Sequence, residues 1–124
     1  MDSKGGLNDL ENASSAKRSG LAPGKKEGLL SLVNYQSGSV VSRAIVNQAS
    51  GTVTLFAFDE GESLSEHTSP YDALLCVLEG CALVTIEGIQ SEMREGEAII
   101  LPAGKPHALR ATERFKMLLT MIRQ

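Results

Sequence analysis

His67 and His107 are the only two histidines in the chain, and each stands in a stretch built for a strand and a tight turn. A pair of imidazoles can ligate a divalent transition metal, act as a general base near neutral pH, or fix the polar end of a bound molecule. His107 closes the run GEAIILPAGKPH (96–107), in which a glycine, a Pro-x-Gly turn and the histidine follow in order. His67 lies in GESLSEHTSPYDALLCVLEG (61–80). On an extended chain, alternate residues share a face, so Ser69, Tyr71 and Ala73 are expected on the face of His67. If His67 points into a cavity, these residues line it with His107.

Two carboxylates lie beside that face. Glu66 or Asp72 could join the histidines as a third metal ligand if a bulge rotated the strand, giving two imidazoles and one carboxylate. Read from parity alone, both are solvated loop charges. Phe115, Met117, Leu119 and Met121 alternate along RFKMLLTMIR (114–123). Met117 and Met121 are therefore candidates for an adaptable apolar pocket wall, with ordinary core filling as the plainer alternative. Arg43 and Arg110 are the cations best placed to meet an anionic ligand. No nucleophile elbow, phosphate-binding loop or Cys–His arrangement suggests covalent or nucleotide chemistry.

The elements that must carry these residues are short and strand-like. VVSRAIV (40–46) and TVTLFAF (52–58) flank a hairpin turn at Asn47 to Gly51. ALLCVL (73–78) and CALVTIE (81–87) read as a second hairpin about Glu79-Gly80. Further turns are expected at Gly88 and Gly96, then strands AIILP (98–102), PHALRA (106–111) and RFKMLLTMIR. Closely spaced strands with no helical periodicity predict an all-β sandwich or barrel. Residues 1–28, rich in Gly, Ser, Asn and charge, read as a flexible extension with at most a helical turn around Leu7 to Ala16. Residues 29–124 form the single domain.

Composition narrows the function classes. A net charge of −3 and scattered cations leave no basic footprint for nucleic acid. Trp is absent and aromatics make up 4%, which argues against a carbohydrate-stacking surface. No apolar run approaches the roughly 20 residues of a membrane span, and charges interrupt the N-terminus where a signal peptide would be apolar. The expectation is a cytoplasmic protein. Cys76 and Cys81 lie close together around Glu79-Gly80, where a disulfide would close too short a loop to stabilise much, so they are expected as small buried thiols.

The two histidine-bearing stretches together resemble the cupin superfamily, whose fold is a double-stranded β-helix or jelly-roll barrel of RmlC-like architecture. In that family the first motif runs from a glycine through His-x-His and Glu to a second glycine. Gly61, His67 and Gly80 match it here, with Ser69 and Ala73 standing at the second histidine and the glutamate. The second motif is matched by Gly96, Pro102, Gly104 and His107, with Ala111 where the family has Asn. The resemblance covers residues 29–122. It implies a metal site of three histidines and one carboxylate for Fe, Mn, Ni or Zn, of which only His67 and His107 remain. A hydroxyl is a poor ligand for these ions and a methyl group is none. It also implies a homodimer, for which LLSLVNY (29–35) is the candidate strand.

Three functions follow as expectations. The first is a binding protein whose apolar cavity holds a small organic ligand, with His67 and His107 on its polar end. The second is a metal-dependent enzyme, a non-haem dioxygenase or isomerase, using both histidines and Glu66 or Asp72. The third is metal-free chemistry with one histidine as general base. Ser69 and Ala73 remove donors and enlarge the cavity, which favours the first; whether there is catalysis is left open.

Overall fold

A computed structural model describes residues 20–123. The helical turn expected around Leu7 to Ala16 lies outside the described residues. A 3-10 turn at Leu29–Leu32 precedes seven strands: β1 Val40–Gln48, β2 Gly51–Phe58, β3 Ser63–His67, β4 Ala73–Ile86, β5 Ile89–Arg94, β6 Ala98–Leu101 and β7 His107–Ile122. All pairings are antiparallel. The all-β barrel expected from the strand spacing is what forms.

Two strands do more than their sequences suggested. Residues 73–86 were expected as two strands about a hairpin, and 106–123 as two separate strands. Instead β4 and β7 each run unbroken and pair with one another along nearly their whole length. The register slips between Val77 and Glu79 and again between Gly80 and Ala82. Gly80 sits there at φ +82°, and a Cβ on it would overlap the Arg114 carbonyl oxygen across the ladder. The glycine therefore makes a bulge that bends the pair around a corner rather than a turn that reverses the chain. Glu87 and Gly88, at φ 50° and 80°, make the true two-residue hairpin into β5.

Because of that bend, each long strand serves both walls of the barrel. One wall orders β1, β2, the C-terminal half of β7, the N-terminal half of β4, and β6. The other orders β3, the N-terminal half of β7, the C-terminal half of β4, and β5. Their inner faces meet in one cluster that includes Phe56, Phe58, Leu75, Val77, Val84, Met93, Phe115 and Met117. One end of this core is shut by Phe58 and Phe115, stacked with ring centroids 4.4 Å apart.

LLSLVNY is not a strand. Ser31 donates through both its N–H (3.1 Å) and its hydroxyl (2.8 Å) to the Gly28 carbonyl, winding Leu29–Leu32 into a 3-10 turn. The segment instead lays Leu32, Val33 and Tyr35 on the outer face of the first wall, against Leu55, Ala57 and Leu118. Tyr35 is clamped between Arg114 (5.0 Å) and Lys116 (5.1 Å) and donates to Glu79 Oε2 at 2.7 Å. Burial, then the Glu79 carboxylate, push its phenol well above the usual range. Lys116, itself buried, donates to the Leu30 carbonyl at 2.6 Å, and Arg43 to that of Leu32 at 3.2 Å.

Candidate functional site

The end of the barrel opposite the Phe58–Phe115 stack is where β3 stops and β7 starts, and their terminal residues are paired: His67 faces His107 across the ladder. The rings pack edge to face, centroids 4.5 Å apart and planes inclined by 69°. His107 is 6% exposed, whereas His67 is open to solvent. Each ring is held in the same way. His67 Nδ1 lies 2.8 Å from the Ser65 carbonyl oxygen and His107 Nδ1 lies 3.2 Å from that of Lys105. A carbonyl only accepts, so each Nδ1 carries the proton and each neutral ring keeps a lone pair on Nε2. Burial, and secondly the neighbouring His67, lower the pKa of His107 below the usual 6.5, against a smaller opposing pull from the Lys105 carbonyl. His107 therefore stays neutral, and an acceptor, at physiological pH.

Two loops form the rim beside this pair, residues 68–72 and 102–106. Gly104 N–H donates to the Ser69 carbonyl and Ala103 N–H to Asp72 Oδ1, both at 2.7 Å. Ser69 Oγ accepts from the Tyr71 N–H at 3.2 Å. Ser69 and Asp72 thus stitch the rim together. Asp72 spends a carboxylate oxygen on the backbone, and Glu66 is an exposed residue of β3. Since 68–72 is a loop and not a strand, the parity that grouped Ser69 and Tyr71 with His67 does not carry across it. Among the described residues, no group of three or more His, Cys, Asp or Glu side chains is placed to hold a metal ion. A catalytic centre of that type keeps three protein donors and an open position, so this donor set does not fit a resident metal.

Across the barrel, Ala73 opens β4 opposite Leu101 and Met121. Ala73 is buried and Met121 partly so, while Met117 is fully buried between Phe56 and Val77 and fills the core. Arg43 belongs to the outer clasp, and Arg110 is exposed, opposite Ser63 and Leu83. Neither cation is part of the histidine pair.

Sequence reasoning missed two polar groups. Thr52 and Thr54 are 5% and 2% exposed. They pair with Met121 and Leu119 and share the inward parity of Phe56 and Phe58. Their hydroxyls make no hydrogen bond among the described residues, an uncommon state for buried polar groups. The signal was present in TVTLFAF, where the threonines alternate in step with the phenylalanines. Ile86, paired with His107, adds an apolar neighbour.

The family model described as Cupin domain matches residues 54–122, over half of the chain. A conserved protein of unknown function from Streptococcus pyogenes is 35% identical, with a TM-score of 0.79 over 84% of this chain and 91% of that one. A cupin superfamily protein from Desulfitobacterium hafniense is 30% identical at the same TM-score, covering 84% and 95%. A Cupin 2 conserved barrel domain protein from Leptotrichia buccalis is 40% identical with a TM-score of 0.74, covering 77% of this chain but 46% of that protein. A search of curated proteins finds no match. Motif, fold and relatives agree, and the chain belongs to the cupin superfamily.

Proposed function

We propose that this cupin binds a small organic ligand at the histidine end of its barrel, without a resident metal. The observation that supports this most is the pair of imidazoles packed edge to face where β3 stops and β7 starts, each with Nδ1 bonded to a backbone carbonyl and its Nε2 left without a hydrogen bond among the described residues. Such a pair suits a ligand that presents N–H or O–H donors to it and an apolar body to the barrel wall of Ala73, Ile86 and Met121. The buried hydroxyls of Thr52 and Thr54 offer further polar contacts from β2, beside Met121. The same reading takes the protein to be a cytoplasmic homodimer.

The test is to denature the purified protein and survey its extract for organic molecules by mass spectrometry, with elemental analysis alongside. The expected result is one organic species enriched in the wild type, depleted in His67→Ala and His107→Ala, with metal well below one ion per chain. Iron, manganese, nickel or zinc near one per chain, lost in His67→Ala, would overturn this reading. It would favour the metal-dependent enzyme, with a carboxylate recruited from Glu66 or Asp72 by movement of the rim.

A further inference from the structure

The last register of the second wall forms one row across all four of its strands. His67 on β3 pairs with His107 on β7, His107 with Ile86 on β4, and Ile86 with Ile89 on β5. Residues opposite one another across a ladder share a face, and Ile86 packs against the core, so all four side chains stand on the inner face. Ile89 is 72% exposed, the most exposed large apolar residue among the described ones. A single surface isoleucine is ordinary, but this one ends an inward-facing row that begins with two imidazoles. The first wall repeats the division. One inner row there runs Asn47, Thr52, Met121, Ala73 and Leu101 through β1, β2, β7, β4 and β6. The next runs Ala44, Thr54, Leu119, Leu75 and Ile99 through the same strands. Since β2 and β3 both pair with β7, while β5 and β6 both pair with β4, polar and apolar side chains separate by flank. His67, His107, Thr52, Thr54 and Asn47 gather on the β7 side. Ile86, Ile89, Ala73, Leu101 and Ile99 gather on the β4 side, with Ser91 the next inward-facing residue along β5. None of these residues is charged, and Lys105 in the adjoining loop is bridged to Glu87 at 3.6 Å.

We propose that the ligand is a neutral amphiphile: its hydroxyl or amide head meets the histidines and threonines of the β7 side, and its unbranched apolar tail crosses β4 to end against Ile89. Ile89 is then the residue that sets tail length. This rests on the ligand reading above and adds the ligand's class, orientation and size. The head is uncharged because an ionic one would lose hydration with no free counter-charge beside it. The tail is apolar because the β4 side offers it branched aliphatic residues in these rows, and burying Ile89 under it removes that side chain from water. Strands lie about 4.8 Å apart, which puts Ile89 two spacings from His107 and three from His67, roughly 10–14 Å. An unbranched chain of about eight to ten carbons covers that distance. One of about six carbons stops near Ile86.

Isothermal titration calorimetry of the full-length protein with 1-hexanol, 1-octanol and octanoate tests it. 1-Octanol is expected to bind about tenfold more tightly than 1-hexanol, since each buried methylene is worth roughly three- to fourfold in affinity. It is also expected to bind about tenfold more tightly than octanoate, whose charge goes unpaired. Ile89→Ser is expected to bring the octanol-to-hexanol ratio below about threefold while leaving hexanol affinity within about twofold. The side chain is exposed, so the substitution costs the fold little. His67→Ala is expected to weaken both alcohols equally. An unchanged ratio in Ile89→Ser overturns the proposal, as does octanoate binding more tightly than 1-octanol. If the wild type binds neither alcohol the proposal falls, and the organic extract decides the wider reading separately. A compact polar compound in that extract keeps the ligand reading alone; one metal ion per chain with no organic compound ends both.

Discussion

The two ends of this barrel are built from the same strands but to opposite purposes. At one end Phe58 and Phe115 stack, Gly80 lets β4 press against the Arg114 carbonyl, and Tyr35 is clamped outside by Arg114 and Lys116. Arg114 in turn donates to Asp59 at 2.9 Å. At the other end the strands stop at two histidines, small or flexible apolar residues, and loops joined by a few backbone bonds. The closed end buries large side chains. At the histidine end the Nε2 atoms and the Thr52 and Thr54 hydroxyls make no hydrogen bond among the described residues, so the large buried side chains are concentrated at one end and the unused polar atoms at the other.

The sharpest way to break this contrast is to empty the closed end. Phe115→Ala is expected to cost about 3–5 kcal/mol, from lost burial and the cavity left behind, read as a shift in the denaturant midpoint. A loss below about 1 kcal/mol would mean the stack is not what shuts the barrel. Gly80→Ala is expected to cost about 2–4 kcal/mol, because the added methyl meets backbone and the residue must hold a positive φ. A neutral result would show that the corner relaxes easily.

The histidine end is expected to respond less, and to pH. His107 has a lowered pKa in the fold, so the unfolded chain binds its proton first as pH falls. The stability tied to His107 is therefore full above about pH 6.5 and declines below it, until the folded protein also takes up the proton. Denaturation profiles of the wild type and His107→Gln across pH 4 to 8 would show this component disappearing in the variant; parallel profiles would refute it. The smallest effect is expected from Thr54→Val. Replacing a buried hydroxyl that makes no hydrogen bond among the described residues by a methyl of similar shape is expected to be neutral or to stabilise by up to about 1 kcal/mol, while depleting whatever organic species co-purifies. Destabilisation would mean that a buried water already satisfies the hydroxyl.

Much of this was legible in the chain. The turns at Asn47 to Gly51, Gly88 and Gly96 fall where glycine and asparagine marked them, and the barrel class followed from their spacing. The corner at Gly80 was misread because a positive-φ glycine looks the same locally whether it reverses a chain or bulges it. The distinction lies in β7, whose residues arrive to pair on both sides of the bulge. LLSLVNY was misread because its apolar content fits a strand, while its actual partner is a sheet face rather than a sheet edge. Parity placed His67 and Ala73 on one face, but a loop intervenes, and periodicity is a property of continuous strands only.

By itself the sequence determined the all-β class, the turn positions, the two histidines and the loss of the donors that Ser69 and Ala73 replace. These follow from local backbone preference and side-chain chemistry, which need no knowledge of distant residues. Tertiary structure alone decided that β4 and β7 bend through both walls, that His107 is buried against His67, and that Thr52 and Thr54 face inward with no hydrogen bond among the described residues. Each of these depends on which strands meet, and long-range pairing is set by the burial of the whole chain at once.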